Sequence, residues 1–373
     1  MLRYHSCMQI VVSGGYGNFG ARICRALARD VSLSVIAAGR NPGAAPADFS
    51  QLGIRTATLD MTAPDFAATL RQLKPDIVIH CIGPFQGQDY GVAKAALACG
   101  AHYIDLSDGR DFVAGFGAVV DANARAANRL AVSGASTLPG LSSAVVDAYR
   151  SRFVTLESIE TVIAPAQSAP RGVATLAGVM SYAGRPFQVW RHSTWRTVYG
   201  WQEVKTVTVG PLGKRLSALC DVPDLALFPV RYPGVKHVDF RAALEVGIQH
   251  RAIAALAGLR RIGVPLPIAR MAPAWEWMAR RLDRFGSATG GMTVTMSGMG
   301  VDNNPLALRW HVIAPENHGP QIPCMAAILL ARKLAAGTMH EVGAMPCMGL
   351  VPLDDFAPEF ARWGMTCAVE ELR

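Results

Sequence analysis

The sequence predicts an α/β protein in which a doubly wound parallel sheet is followed by an α+β domain with a mixed, partly antiparallel sheet. Three observations carry this: short apolar runs alternate with amphipathic ones up to about residue 136, a glycine-rich loop follows the first run, and the pattern changes after residue 150. A chain of 373 residues suits two domains, because single cores stop growing near about 250–300 residues.

Six runs read as strands: "QIVVSG", "LSVIAAG", "IRTATLD", "DIVIHCIG", "HYIDLSD" and "LAVSGAS". Most are apolar enough to be buried on both faces, as parallel strands are. "GARICRALARD", "PDFAATLRQLKP", "YGVAKAALACG" and "FGAVVDANARAAN" between them have helical spacing, and the βαβ alternation calls for helices on both sides of the sheet. "LPGLSSAVVDAYRSRF" predicts a further helix. Beyond it "ESIETVIAP", "QEVKTVTV", "KHVDFRAAL", "GMTVTMSGMG" and "LALRWHVIAP" read as strands, the last two forming an antiparallel pair around the turn "VDNNP". Helices are expected over 172–183, 247–260, 267–285 and 321–336. These readings divide the chain into a nucleotide-binding domain at 1–137, an α+β substrate and dimerisation domain at 138–345, and a C-terminal segment, 346–373, expected to pack back on the first domain.

Composition narrows the function classes. The chain is 51% hydrophobic and 17% charged, which argues for a substantial core. Its net charge of +8 comes from 36 Lys and Arg, of which only six are Lys, scattered rather than gathered in a tail. That distribution suits an anionic small-molecule ligand and no nucleic acid. Eight cysteines without a C-x-x-C pair read as reduced thiols of a cytoplasmic protein, and the start, "MLRYHSCMQIVVSGG", runs into a strand without a signal-like apolar stretch.

In "VVSGGYGNFG" two spacings overlap. Gly15, Gly17 and Gly20 give G-x-G-x-x-G, enclosing Tyr16, Asn18 and Phe19; Gly14, Gly17 and Gly20 give G-x-x-G-x-x-G. Either loop lets backbone approach a pyrophosphate at the start of a helix whose N–H groups are free, which makes this a Rossmann-type domain. The second strand ends in "AAGRN", so Arg40 stands where an NAD site places a carboxylate. A guanidinium pairs with a 2′-phosphate and a carboxylate repels it, so NADP(H) is preferred over NAD(H). Asp60 closes the third strand, and Gly83, Pro84 and Phe85 close the fourth, at the sheet edge where the ligand crevice forms. Asp60 reads equally as an adenine contact or a turn residue.

The G-x-x-G-x-x-G spacing belongs to short-chain dehydrogenases, which use Tyr-x-x-x-Lys. Tyr90 and Lys94 match that pattern but fall in the helix after the fourth strand, too early for that class, so the G-x-G-x-x-G reading is preferred. "VVSGGYGNFGARICRAL", "CIGPFQGQDYGVAKAALACGAHYIDLSD" and "GASTLPGLSSAVVDAY" together resemble the NADP-binding part of the saccharopine dehydrogenase-like family over roughly residues 8–150. The resemblance implies a Rossmann domain joined to an α+β domain, with substrate between them and hydride transfer at a carbon–nitrogen bond. One departure stands out: where relatives often carry Gly-Glu after the fifth strand, this chain has Asp108-Gly109.

Candidate catalytic residues are Asp108, the first choice, with Tyr90 and His318; Asp105, Ser107 and Arg171 are candidates for binding substrate. No histidine pair has metal-ligand spacing and no G-x-S-x-G is present, so neither metal nor serine-nucleophile chemistry is expected. Residues 251–284 combine seven Arg with Trp275 and Trp277 against Glu276 and Asp283. Packing inside the second domain or at a homodimer interface accounts for such a stripe more simply than contact with a membrane surface. The reading is an NADP(H)-dependent oxidoreductase acting on an amine, imine or amino-acid-like substrate. Its alternatives are a reductase of a lipid-like or thioester substrate and a non-catalytic NADP(H)-binding regulator.

Overall fold

The computed structural model describes residues 7–170 and 173–372. In chain order the first elements are β1 (Met8–Ser13), α1 (Asn18–Leu27), β2 (Leu33–Gly39), β3 (Arg55–Thr58), α2 (Phe66–Gln72), β4 (Ile77–His80), α3 (Gly91–Ala98), β5 (His102–Asp105), α4 (Arg110–Ala126) and β6 (Leu130–Ser133). All six expected strands form. α4 begins six residues before "FGAVV", with Asp111 in its first turn where the helix dipole favours an acid.

The second run comprises α5 (Ser142–Tyr149), β7 (Phe153–Ala164), α6 (Val173–Ser181), β8 (Pro186–Arg191), β9 (Thr194–Tyr199), β10 (Lys205–Thr208), β11 (Lys214–Leu219), α7 (Asp224–Arg231), β12 (His237–Leu244), α8 (Gly247–Arg261), α9 (Ala272–Leu282), β13 (Gly290–Gly300) and β14 (Pro305–Ala314). The chain ends with α10 (Ile322–Ala335), β15 (Gly343–Pro346), α11 (Leu353–Arg362) and β16 (Thr366–Glu371).

These elements sort into two compact units, residues 1–140 with 321–351, and residues 141–320 with 352–373. The first is a seven-stranded parallel sheet in the order β15-β6-β5-β4-β1-β2-β3, the doubly wound pattern with its switch between β1 and β4. Its core on one face joins Val11, Val78 and Tyr103 of the strands to Val92, Phe112 and Phe116 of α3 and α4. The second unit is a nine-stranded mixed sheet. Its backbone order is β10-β11-β12-β7-β13-β14-β16, and the β8–β9 hairpin branches from β12. Only β12 and β7 run parallel within it, and β13 and β14 form the antiparallel pair expected around "VDNNP".

The boundaries differ from the sequence reading in two places. Residues 321–345, placed by periodicity in the second domain, belong to the first unit, because β15 adds a parallel strand beyond β6. Of the C-terminal segment only 346–351 stay with that unit; β16 instead pairs antiparallel with β14 and extends the second sheet. A four-residue strand carries too little periodicity to be seen in sequence, and β16, exposed along its length, has no buried face to impose alternation. The β8–β9 hairpin was hidden for another reason. Its turn residues, His192 and Ser193, both take positive φ (53° and 57°), the geometry usually announced by Asn-Gly.

Candidate nucleotide-binding site

The site lies at the carboxyl edge of the parallel sheet and starts with the glycine loop. Gly14 has φ of 83°, so it makes the turn at the end of β1. Gly15 is required by packing, since a Cβ there would lie 2.7 Å from the Ala37 Cα on β2. Gly17 precedes α1, and a Cβ on it would meet only the Gly14 carbonyl oxygen, at 3.3 Å, so its missing side chain leaves the mouth of the helix open. Gly20 sits where a Cβ would lie 2.2 Å from that same oxygen, which makes it the close-packing glycine. α1 itself starts with no side-chain cap and no acid in its first turn. Its first N–H groups therefore face outward from the loop, an arrangement that favours an anion. The Asn18 side chain is held by Arg22, whose Nη1 donates to its Oδ1 at 2.9 Å. Phe19 lies in the first turn of α1.

Tyr16 turns away from the mouth of α1. Its ring lies over Gly39, where a Cβ would come within 2.8 Å, and its hydroxyl is within 3.0 Å of the Ala37 carbonyl and 2.9 Å of the Ala57 carbonyl. Tyr16 thus ties the ends of β2 and β3 together. Arg40 follows β2 and is exposed. Asp60 takes the turn role: it accepts hydrogen bonds from the Thr62 N–H at 3.0 Å and hydroxyl at 2.8 Å. Those bonds, helped by the Arg40 charge, hold its carboxyl below the usual range.

At the ends of β4 and β5 two turns meet. Gly109 approaches Phe85 so closely that a Cβ on it would touch the Phe85 backbone at 3.5 Å, and Gln86 Nε2 reaches the Asp108 carboxylate at 3.4 Å. Burial pushes the Asp108 carboxyl up, against the pull of Gln86. Gln88 braces the Gly83-Pro84-Phe85 turn from inside, donating to the Ile82 and Pro84 carbonyls at 2.8 Å each. Its amide nitrogen being spent, its oxygen faces His80 Nε2 at 3.2 Å, which makes that nitrogen the protonated one. Burial lowers His80 to about 4, so the ring is neutral at neutral pH.

His80 belongs to a feature that sequence reasoning missed. Ser13, His80 and Asp105 are register partners on β1, β4 and β5, and Ser133 at the end of β6 donates to Asp105 at 3.0 Å. All four are buried, making a polar row under the crevice. A signal for it exists in the sequence: each of these apolar runs closes on a polar residue, in "VVS", "VIH", "YID" and "AVS".

The structure places the remaining candidates as follows. Asp105 is fully buried; one of its oxygens accepts from Ser107 N–H (2.9 Å), Gly134 N–H (2.8 Å) and Ser133 Oγ. Ser107, also buried, accepts from Gly109 N–H at 3.2 Å. Asp105 ties the ends of β5 and β6 together and Ser107 holds the turn after β5, and their burial replaces the substrate-facing role expected from sequence. Tyr90 lies tilted against Phe112, ring centroids 4.7 Å apart, and its hydroxyl donates to the Phe112 carbonyl at 3.0 Å, which packs it between α3 and α4. Burial and the Asp105 and Asp111 charges raise its pKa, the wrong direction for a proton donor near neutrality. His318, in the second unit, has Nδ1 2.9 Å from the Trp363 carbonyl and its ring against the Trp363 indole. Arg171 lies outside the described residues. Among the described residues no group of His, Cys, Asp or Glu could hold a metal ion.

Asp105 also carries a prediction. Its pKa is raised from 3.8 to about 6, with burial outweighing the bonds from Gly134, Ser107 and Ser133, so the folded state holds this proton more tightly than the unfolded chain. Keeping the carboxylate ionised therefore costs nothing below pH about 4 and of the order of 3 kcal/mol above pH about 6. Asp105→Asn keeps one acceptor and removes the ionisation. Relative to the wild type it should gain stability as pH rises from 4.5 to 7.5, read from urea midpoints; a parallel pH dependence in the two proteins would contradict it.

Comparison with known proteins relates the chain to others by motif and by fold. Residues 10–133 match the family model described as the saccharopine dehydrogenase NADP binding domain. Among solved structures, a saccharopine dehydrogenase (L-Glu forming) from Saccharomyces cerevisiae superposes with a TM-score of 0.71 at 11% identity, covering 98% of this chain and 100% of its own. The homospermidine synthase of Legionella pneumophila, solved with NAD, gives 0.59 at 10% identity over 98% of this chain and 91% of its own. At such identities the likeness is one of fold. No curated protein sequence matches the chain. Residues 10–133 of the first unit are thus similar to the saccharopine dehydrogenase NADP binding domain, as the motifs led us to expect.

Proposed function

We propose that this chain, built on a saccharopine dehydrogenase-type NADP-binding domain, is an NADP(H)-dependent oxidoreductase that transfers hydride at a carbon–nitrogen centre of an amine, imine or amino-acid-like substrate. One observation carries the cofactor assignment: the uncapped, acid-free start of α1 under the glycine loop is paired with an exposed Arg40 at the end of β2, which has no acid beside it in sequence. The α1 N–H groups hold the pyrophosphate, Gly17 leaves room for it, and Arg40 pairs with the 2′-phosphate. The bound nicotinamide supplies or accepts the hydride. Asp108, beside the Gly83-Pro84-Phe85 turn, holds a proton on its carboxyl more readily than a solvated aspartate and passes it to or from the substrate nitrogen. The amine and amino-acid class is supported by the fold shared with the saccharopine dehydrogenase and homospermidine synthase structures.

Fluorescence titration with NADPH and NADH, followed by NADPH oxidation against a panel of keto acids mixed with amines, tests the proposal. Tighter NADPH binding and turnover that needs both carbonyl and amine are expected. An NADH preference overturns the cofactor assignment. NADPH binding without turnover on any carbonyl, imine or enoyl compound favours the regulatory reading.

A further inference from the structure

The exposed side chains of the stretch 247–285 of the second unit share one composition. They are five arginines (Arg251, Arg261, Arg280, Arg281 and Arg284) and largely apolar residues; among the described residues none is acidic and none carries a hydroxyl or an amide. Glu276 and Asp283, the two acids of the stretch, are both partly buried: Glu276 is paired with Arg280 at 2.7 Å and Asp283 accepts from Gln167 at 3.2 Å. The apolar members stand well out of the core, with Ile248 at 69%, Ile262 at 75%, Trp277 at 61% and Phe285 at 63% exposure.

The exposure is ordered. On α8, Ile248, Arg251, Ala255, Leu259 and Ile262 recur at helical spacing and form one outward stripe, opposite the buried Ile253 and Ala257. On α9 and the turn after it, Trp277, Arg281, Arg284 and Phe285 do the same, opposite Trp275 and Ala279. Two guanidinium groups lie over the exposed rings, Arg281 over Trp277 and Arg284 over Phe285, each at 4.7 Å. Packing within the second unit, the simpler expectation from sequence, accounts for Trp275 and leaves Trp277 outside.

We infer that the outward face of α9 and the turn after it docks on an anionic lipid bilayer, with Trp277 and Phe285 in the headgroup boundary and Arg280, Arg281 and Arg284 on the lipid phosphates. Aromatic and aliphatic side chains ringed by arginine, with no exposed acid, form the pattern of helices that lie in a bilayer interface. A second copy of the chain is a poorer occupant. A two-fold interface sets the patch against itself, which brings arginine to arginine with no acid between them. This inference is independent of the cofactor site.

Flotation of the full-length chain with vesicles of equal parts phosphatidylglycerol and phosphatidylcholine tests it, with pure phosphatidylcholine vesicles as control. The wild type should float with the anionic vesicles only. Arg280→Glu combined with Arg281→Glu and Arg284→Glu should weaken that binding at least about tenfold, with unchanged circular dichroism and melting temperature. The tryptophan emission should shift to the blue on vesicle addition, and Trp277→Phe should remove most of the shift. Absence of binding, equal binding to both vesicles, or binding indifferent to the arginine reversals overturns the inference. So does a lipid-free dimer that these same substitutions break.

Discussion

An Arg40→Asp variant is expected to bind NADPH about a hundredfold more weakly while NADH affinity stays within a few-fold. The argument is local. Arg40 is exposed at the end of β2, and the acid it influences, Asp60, is already engaged by Thr62. Its guanidinium can therefore turn to a phosphate without breaking a structural bond. Hydrogen bonds to charged groups contribute roughly 1.5–3 kcal/mol, and every 1.4 kcal/mol is about tenfold in affinity. A carboxylate in the same place adds repulsion of a dianion. Because the group is exposed, the NADPH preference should shrink at high salt. Equal NADPH affinity in wild type and variant would remove Arg40 from the site.

The second large effect separates two glycines that look alike in sequence. Gly20→Ala should cost about 1–3 kcal/mol of stability, or more, and abolish detectable cofactor binding. The new Cβ would lie 2.2 Å from the Gly14 carbonyl oxygen and 2.8 Å from its carbon, so the backbone of the loop, not a side chain, must give way. Gly17→Ala meets only that oxygen, at 3.3 Å, and should leave the melting temperature nearly unchanged. Its methyl group nevertheless stands at the mouth of α1, and NADPH binding should fall about tenfold or more through lost close approach to the pyrophosphate. If both variants lose stability equally, Gly17 is a packing residue and the phosphates lie elsewhere. Differential scanning fluorimetry with and without NADPH reads both quantities in one experiment.

Much of the first unit was legible because parallel strands are buried on both faces. Continuous apolar runs such as "LSVIAAG" and "DIVIHC" have few other uses, and the turns that close them fall at one sheet edge. The overlapping glycines divide by role: Gly14 turns the chain, Gly15 and Gly20 pack, and Gly17 stays open. The polar row of Ser13, His80, Asp105 and Ser133 was harder. A polar residue at a strand end reads as a crevice residue, and only the registers of β1, β4 and β5 reveal that these groups lie side by side and are buried together. Asp105, Ser107 and Tyr90 have outward roles by type and position, which suggest chemistry; their hydrogen-bond partners turn them inward.

The sequence by itself determined the doubly wound sheet, the glycine loop and the basic residue after β2, since each rests on local periodicity or on a backbone that only glycine can form. Tertiary structure alone decided the rest. It returned α10 and β15 to the first unit and β16 to the second sheet, because pairing partners distant in the chain outweigh weak local preference. It also turned Tyr16 into a tie between strands and left Trp277 and its arginines outside. Burial and hydrogen-bond partners are properties of the packed chain, and a residue's type fixes only what it can do once they are known.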